Sequence, residues 1–248
     1  FSTNKVLANI VTTPENKTMT DLATKNNLAQ CLSRVKQQIE VASATISAKV
    51  QLLAVSKKHP AQKVELAFEL GQRSFGENYV QEGVEKVQQL HHLDLDWHFI
   101  GPIQSNKSRL VAEHFSWVHT IDSLKLARRL NEQRPASLAP LNVLIQVNIS
   151  QQASKSGVQL EEITELANTI AGYKNLALRG LMCIPAPLDD NALRQEFLTM
   201  RQQFEQLQKT FPHVDTLSMG MSGDLSLAIE SGSTMVRVGS AIFGQRVE

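Results

Sequence analysis

The sequence predicts an α/β fold, a single (β/α)8 TIM barrel with an extra N-terminal helix. Eight short apolar runs of strand length recur along the chain, and segments with helical spacing of apolar residues separate them. Strands that alternate with helices are typical of a parallel sheet, and eight such units in about 200 residues match a closed barrel. A doubly wound open sheet is the alternative, but eight strands without a second domain favour closure.

The first predicted element is a helix that precedes the barrel, from about residue 25 to residue 47, where Leu28, Leu32, Val35 and Ile39 recur at helical spacing. Each later apolar run has the length and composition of a strand. The predicted strands are 51–56, 73–77, 97–101, 117–121, 142–149, 176–184, 215–220 and 234–239. The helices predicted between them are 61–71, 78–91, 105–114, 123–133, 160–172, 190–210 and 223–231.

The composition is that of an ordinary globular protein, and it favours neither nucleic acid nor a membrane as a partner. Of the 248 residues, 42% are hydrophobic and 20% charged, and the formal net charge is +1. No apolar run approaches the length of a membrane span. Two cysteines, Cys31 and Cys183, do not make a disulfide framework, and the histidines lack metal-ligand spacing. We therefore predict a cytoplasmic protein without a metal site.

The first 18 residues are expected to be a leader. The segment FSTNKVLANIVTTPENKT begins without Met, is polar, contains Pro14 and is followed by Met19. It lacks the compact apolar stretch and the small-residue cleavage site of a signal peptide. We expect residues 1–18 to be poorly ordered upstream sequence, and residues 19–248 to form the barrel domain.

The strongest indication of a functional site in the sequence comes from residues 49–60, KVQLLAVSKKHP. A buried strand there ends in Lys57 and Lys58, and Pro60 suits the first turn of the next helix. Ligands of α/β proteins bind at the carboxyl ends of the strands, and an amine whose pKa is lowered there can act as a nucleophile. Two solvated loop lysines are the alternative interpretation. The alternation of side chains along the strand does not determine which of the two lysines faces the site.

The ends of the last two strands predict an anion site. Ser222 is expected to cap the seventh helix, whose first turn has free N–H groups and the positive end of the helix dipole. The turn Gly239-Ser240 adds N–H groups, and loops after strands seven and eight of a barrel commonly hold a phosphate. Ser222 alone is better explained as an ordinary cap. Asp224 would repel a close phosphate, so the prediction requires its carboxylate to point elsewhere.

A lysine that faces a phosphate site, with Arg237 between them, suggests pyridoxal 5′-phosphate (PLP) as the cofactor. The lysine would form an imine with the PLP aldehyde, and the phosphate would anchor the molecule. Arg237 would lie at the pyridine nitrogen, which would stay unprotonated because a guanidinium can only donate to it. The alternative role for Arg237 is a buried salt bridge to a barrel carboxylate. His98, on the third strand, is predicted to be structural.

Seven segments carry a family resemblance that is specific only in combination. They are LLAVSK (52–57), FGENYVQE (75–82), WHFIGPIQSNK (97–107), QVNIS (146–150) with KSG (155–157), RGLMCIP (179–185), LSMGMSGD (217–224) and VRVGSAIFG (236–244). Together they resemble the pyridoxal phosphate homeostasis protein family. That family is related to the barrel domain of alanine racemase, among the fold-type III PLP proteins. The resemblance covers residues 25–246.

The resemblance implies roles for individual residues. Lys57, which ends AVSK, matches the lysine that forms a Schiff base with PLP, and this selects Lys57 over Lys58. Arg237 matches the arginine at the pyridine nitrogen, and Asn78 matches a polar group near the ring. Lys155 matches a second lysine that is thought to influence cofactor exchange. The remaining implied cofactor-binding residues are Ser218 and Met219 close to the phosphate, and Ser222, Gly239 and Ser240 at the phosphate.

The resemblance also implies a function in intracellular vitamin B6 homeostasis rather than catalysis. PLP is a reactive aldehyde, and a reversible imine on Lys57 would hold and buffer it, with transient delivery to PLP-dependent apoenzymes as a further role. An amino-acid racemase is the alternative function. Racemisation needs a second acid/base, which in alanine racemase is a tyrosine of an additional domain. Tyr79 and Tyr173 match no such group, and the chain ends directly after the eighth unit. We therefore expect no catalytic residue and a monomer. A third interpretation is a barrel enzyme in which Lys57 binds a sugar-phosphate substrate.

Overall fold

The computed structural model describes residues 14–44, 46 and 49–245, with side chains from residue 22 onward. Residues 1–13 of the expected leader lie outside the described residues. The first helix, α1 (Pro14–Ser43), begins within the segment for which we expected poor order, well before residue 25. Proline suits this first position because the N–H it lacks would have no helical acceptor there. The helix also ends earlier than predicted, at Ser43 rather than residue 47.

Eight parallel strands close into a barrel in chain order, which confirms the predicted fold and excludes the open sheet. The last strand pairs with the first, so the sheet has no open edge. The strands are β1 (Gln51–Val55), β2 (Ser74–Glu77), β3 (Asp96–Phe99), β4 (Trp117–Ile121), β5 (Leu141–Val147), β6 (Leu176–Cys183), β7 (Thr216–Ser218) and β8 (Met235–Val238). Each lies within two residues of its predicted bounds at both ends.

Helices follow the strands and form the outer layer, as predicted. They are α2 (Ala61–Glu69), α3 (Val80–Gln89), α4 (Ser108–His114), α5 (Leu124–Gln133), α6 (Ile163–Ala171), α7 (Asp190–Thr210), α8 (Leu225–Glu230) and α9 (Ser240–Phe243). Short 3-10 turns, Ser105–Lys107 and Leu160–Glu162, precede α4 and α6. The sequence did not predict α9, because four residues are too few to show a helical period. None of the described helices is long and apolar enough to cross a membrane.

Side chains of each strand alternate between the helix layer and the barrel interior. Trp97 and Phe99 of β3 join the large apolar cluster under the helices, whereas Ile100, which directly follows β3, joins a separate cluster with Leu53 inside the barrel. The same alternation places His98 in the interior, where it is fully buried. Branched aliphatic residues dominate most barrel interiors. A buried polar side chain in this position therefore needs a specific partner.

Candidate functional site

A cavity of about 290 Å³ opens at the carboxyl ends of the strands and contains most of the predicted site residues. Six of the eight residues implied to bind the cofactor line it: Lys57, Asn78, Ser222, Arg237, Gly239 and Ser240. Val55, Ile100, Ile184 and Met221 supply an apolar wall. Two larger depressions, of about 470 and 460 Å³, lie at the amino ends of the strands and contain none of the eight. Barrel sites form at the carboxyl ends, so the smaller cavity is the candidate site.

The turn after β1 places the two neighbouring lysines differently. Lys57 is half-buried and lines the cavity, whereas Lys58 is exposed and adopts a left-handed backbone with φ 60°. The N–H of Lys58 donates to Glu82 Oε1 at 2.6 Å, which fixes this turn against α3. Of the two amines, only that of Lys57 belongs to the cavity wall.

Three buried residues and the half-buried Glu82 hold the same turn from the helix side, and we call them the lysine-turn network: Ser56, Glu77, Glu82 and Lys86. Lys86 Nζ donates to the carbonyl of Ser56 at 2.8 Å, to Glu77 Oε1 at 2.8 Å and to Glu82 Oε1 at 2.7 Å. Ser56 Oγ donates to the same Glu77 oxygen at 2.5 Å. Burial raises the pKa of the Glu77 carboxyl, and Lys86 opposes that rise. Sequence reasoning missed this network, although the segment FGEN contains Glu77.

Arg237 on β8 points into the barrel and forms the floor of the cavity. It is 4% exposed, and its Nη1 donates to the carbonyl of Ser218 at 2.9 Å and to Ser218 Oγ at 2.8 Å. Its Nη2 donates to the carbonyl of Cys183 at 2.9 Å. In the part of the chain that the structure describes, no carboxylate forms a salt bridge with Arg237. The salt-bridge alternative is therefore not observed. Among the described residues, no carboxylate is paired with the guanidinium that lines the cavity.

The loop before α8 and the turn before α9 form one corner of the cavity. Ser222, Gly223, Gly239 and Ser240 line this corner. Gly239 is the N-cap of α9, so the first N–H groups of that helix have no helical acceptor. Gly239 also lies close to β1, because a Cβ added there would be 3.2 Å from the Val55 carbonyl oxygen. This corner presents hydroxyl and N–H donors, which suit an anion.

Two details of the anion site differ from the sequence prediction. Ser222 does not cap the helix, because the N-cap of α8 is Asp224, two residues later. Asp224 Oδ1 accepts the N–H of Met221 at 2.6 Å, and Asp224 is absent from the cavity lining. The Asp224 carboxylate is therefore engaged with the backbone of the loop and is not part of the cavity wall.

Ser218 and Met219 do not line the cavity, so the placement of both close to the phosphate, which the resemblance implies, stays a prediction. Both are fully buried. Ser218, the last residue of β7, points into the barrel interior beneath Arg237, and Met219, which follows it, packs in the helix layer. Sequence motifs locate these residues near the site but do not give the direction of their side chains.

Asn78 contributes a hydrogen-bonding group that the described residues leave unused. It follows β2 directly, and its Oδ1 is buried without a hydrogen-bond partner among them. The backbone of Asn78 is fixed by Gly101, where an added Cβ would lie only 2.1 Å from the Asn78 carbonyl oxygen. An unsatisfied buried amide beside a cavity is costly unless a ligand or water completes it. The amine, guanidinium, amide and anion corner together fit the groups of PLP.

Lys155 lies at the mouth of the site rather than in the main cavity. Its Nζ donates to the carbonyls of Ile184 at 3.4 Å and Pro185 at 2.9 Å. It lines an adjoining cavity of about 250 Å³, which has Asn78, Ile100 and Ile184 in common with the main one. A second amine is therefore present close to the cavity that contains Lys57.

Comparisons with known proteins agree with this geometry. Residues 31–247 match the family model described as "Alanine racemase, N-terminal domain". The chain belongs to the alanine racemase N-terminal domain family. The chain is 60% identical over 202 residues to the pyridoxal phosphate homeostasis protein of Vibrio alginolyticus, covering 79% of this chain and 87% of that protein. It is 54% identical over 230 residues to the protein of the same name from Escherichia coli (strain K12), covering 89% and 97%.

A solved structure of this family was determined with PLP bound. It is PipY of Synechococcus elongatus, which is 36% identical, covers 88% of this chain and 100% of its own, and superimposes with a TM-score of 0.77. These matches confirm the family resemblance that the sequence motifs indicated. In the present protein, neither Tyr79 nor Tyr173 lines the cavity. Tyr79 is the exposed N-cap of α3, and Tyr173 packs on the core after α6.

Proposed function

We propose that this protein binds PLP and acts in intracellular PLP homeostasis. The observation that carries the proposal is the convergence of Lys57, Asn78, Arg237 and the anion corner on one cavity at the carboxyl ends of the strands. The names of its relatives and the PLP-bound PipY structure support it. PLP supplies an aldehyde that reacts reversibly with amines, together with a phosphate anchor.

Each cavity residue has a role in this proposal that its chemistry permits. Lys57 provides the amine that bonds covalently to the PLP aldehyde. Arg237 donates to the pyridine nitrogen, and since it has no acceptor it keeps that nitrogen unprotonated. Ser222, Ser240 and the N–H groups beside them hold the phosphate.

We further propose that the protein holds PLP rather than turning over a substrate. Two-base racemisation needs an acid/base on the face of the cofactor opposite Lys57, and the described residues that line the cavity include no tyrosine, histidine or carboxylate. Monomeric state, cytoplasmic location and transient delivery of PLP to apoenzymes complete this proposal. The cysteines of the described chain, Cys31 and Cys183, are both free, which is consistent with a reducing compartment.

The covalent assignment is tested by visible absorption and peptide mapping. Protein loaded with PLP should show the visible band of a protonated imine, and borohydride reduction should leave the label on the peptide that contains Lys57. Lys57→Ala should abolish both the band and the label. Lys58→Asn is the matched control, because it removes the neighbouring amine while asparagine tolerates the left-handed backbone. A Lys57→Ala protein that retains the same covalent adduct would refute the assignment.

The non-catalytic role has its own test. Loaded protein is incubated with L- and D-amino acids in deuterated water, and exchange at Cα is followed by mass spectrometry. We expect no sustained exchange. Exchange that continues over many turnovers would instead support the racemase alternative.

A further inference from the structure

The barrel interior contains a chain of buried hydrogen bonds that ends at the cavity floor. Asp96 Oδ2 lies 3.0 Å from His98 Nε2, and His98 Nδ1 lies 2.9 Å from His119 Nε2. His119 Nδ1 lies 3.1 Å from Ser218 Oγ, which accepts from Arg237 Nη1 at 2.8 Å. We call these five residues the interior chain. It runs from the amino end of β3, where Asp96 is partly exposed, to the guanidinium that lines the cavity.

With both imidazoles neutral, the Asp96 end fixes the direction of each hydrogen bond in the interior chain. The Asp96 carboxylate can only accept and the Arg237 guanidinium can only donate. His98 must therefore carry its proton on Nε2, which leaves its Nδ1 as an acceptor for the Nε2 proton of His119. His119 Nδ1 then accepts the hydroxyl proton of Ser218. Every hydrogen-bond donor in the interior chain then has an acceptor, and both imidazoles are neutral.

The surroundings favour this protonation pattern. His98, His119 and Ser218 are fully buried, and burial lowers the pKa of both histidines, that of His119 well below its ordinary value. The ring of His98 stacks on Trp117, with centroids 4.9 Å apart and planes 7° from parallel. The imidazole plane is thus held by packing as well as by hydrogen bonds.

We propose that Asp96, His98, His119 and Ser218 are positioning residues that hold Arg237 in the orientation its contact with the cofactor ring requires, an inference that rests on the proposed PLP function. Because the hydroxyl proton of Ser218 is directed to His119, both lone pairs of its oxygen stay available to the guanidinium. Reversal of the chain would bring the Nδ1 proton of His119 to the same oxygen. His119 would then occupy the second lone pair of that oxygen, and the hydroxyl proton of Ser218 would have to turn away from His119 Nδ1. The guanidinium would share its acceptor with a second donor, which would weaken its hydrogen bond to Ser218 Oγ.

The test is the variant Asp96→Asn, since an amide can donate as well as accept and so no longer fixes the direction. Histidine ring nitrogens are labelled with ¹⁵N in full-length protein, without and with PLP. In the parent protein both His98 and His119 should carry a proton on Nε2 alone. In Asp96→Asn both should populate the Nδ1-protonated form, and the absorption band of bound PLP should shift. PLP affinity should fall about tenfold, the scale of one hydrogen bond to a charged group.

Asp94→Asn is the matched control, because Asp94 is an exposed carboxylate two residues away and outside the chain. It should change neither the ring protonation nor the band. The inference is overturned if His119 of the parent protein carries its proton on Nδ1, or if Asp96→Asn leaves the tautomers and the band of bound PLP as they were. A parent protein that shows the expected tautomers but binds no PLP would refute the proposed function instead, so the two failures are distinguishable.

Discussion

Lys86→Met tests whether the lysine-turn network stabilises the fold as its geometry indicates. Lys86 makes three charge-assisted hydrogen bonds, and its side chain is 6% exposed beside a fully buried Glu77. Methionine has a similar length but leaves the Glu77 carboxylate buried without its cation. Removal of one partner of a buried ion pair costs about 3–5 kcal/mol. For a chain of this size that corresponds to a fall in Tm of roughly 6–20 °C.

The assay is urea unfolding followed by circular dichroism, with two comparison variants. Lys25→Met breaks the exposed Lys25–Glu69 pair and should cost less than about 1 kcal/mol. The double variant Lys86→Met/Glu77→Gln removes the stranded charge and should regain most of the lost stability. A Lys86→Met protein no less stable than Lys25→Met, or a double variant no more stable than Lys86→Met, would refute the reasoning.

The pH dependence of Lys86→Met follows from the raised pKa of Glu77. A carboxyl whose pKa is higher in the folded than in the unfolded protein favours folding at low pH, and that contribution is lost as pH rises through the folded value. Lys86 normally opposes the rise, so its removal should raise the pKa of Glu77 further. The stability deficit of Lys86→Met relative to the parent should therefore be smaller near pH 4.5, the ordinary carboxyl value, than at neutral pH.

Two further predictions concern the backbone and the buried histidines. Gly220→Ala should destabilise the fold by about 1–3 kcal/mol in urea unfolding, because residue 220 has φ 99° and an added Cβ would lie 2.6 Å from the Ala228 Cβ; an unchanged midpoint would contradict this. The pKa values of His98 and His119 are lowered in the folded protein. Below pH 6.5 these two side chains therefore bind protons in the unfolded chain but not in the folded protein, so the free energy of unfolding decreases as pH drops. Each of these two histidines contributes a slope of up to about 1.4 kcal/mol per pH unit, which His119→Phe should reduce in urea unfolding measured across this pH range.

The strands and most helices could be predicted because their signals are local. The run 52–55 and its counterparts have strand composition, and α7 shows the helical spacing of Leu193, Phe197 and Met200, all three of which are buried. Helix bounds were less accurate where no such pattern exists. α1 starts at Pro14, in a polar segment without apolar spacing, and α9 is only four residues long.

The candidate site was predicted in outline, because barrel topology brings the carboxyl ends of the strands together. Lys57 and Arg237 follow that rule, and both reach the cavity. Side-chain direction was harder to predict at the short strand β7, where Ser218 turns inward and Met219 outward. His98 was predicted to be structural, and its place in the interior chain depends on the neighbouring strands β4 and β7.

The sequence by itself determined the barrel, the family and the lysine that enters the cavity, because periodicity and motifs are properties of consecutive residues. Only the tertiary structure decided which polar groups meet. Lys86 reaches the turn before Lys57 across 30 positions of sequence, and His119 meets Ser218 across 99. A hydrogen bond depends on distances of a few tenths of an ångström, and these are set when the barrel closes.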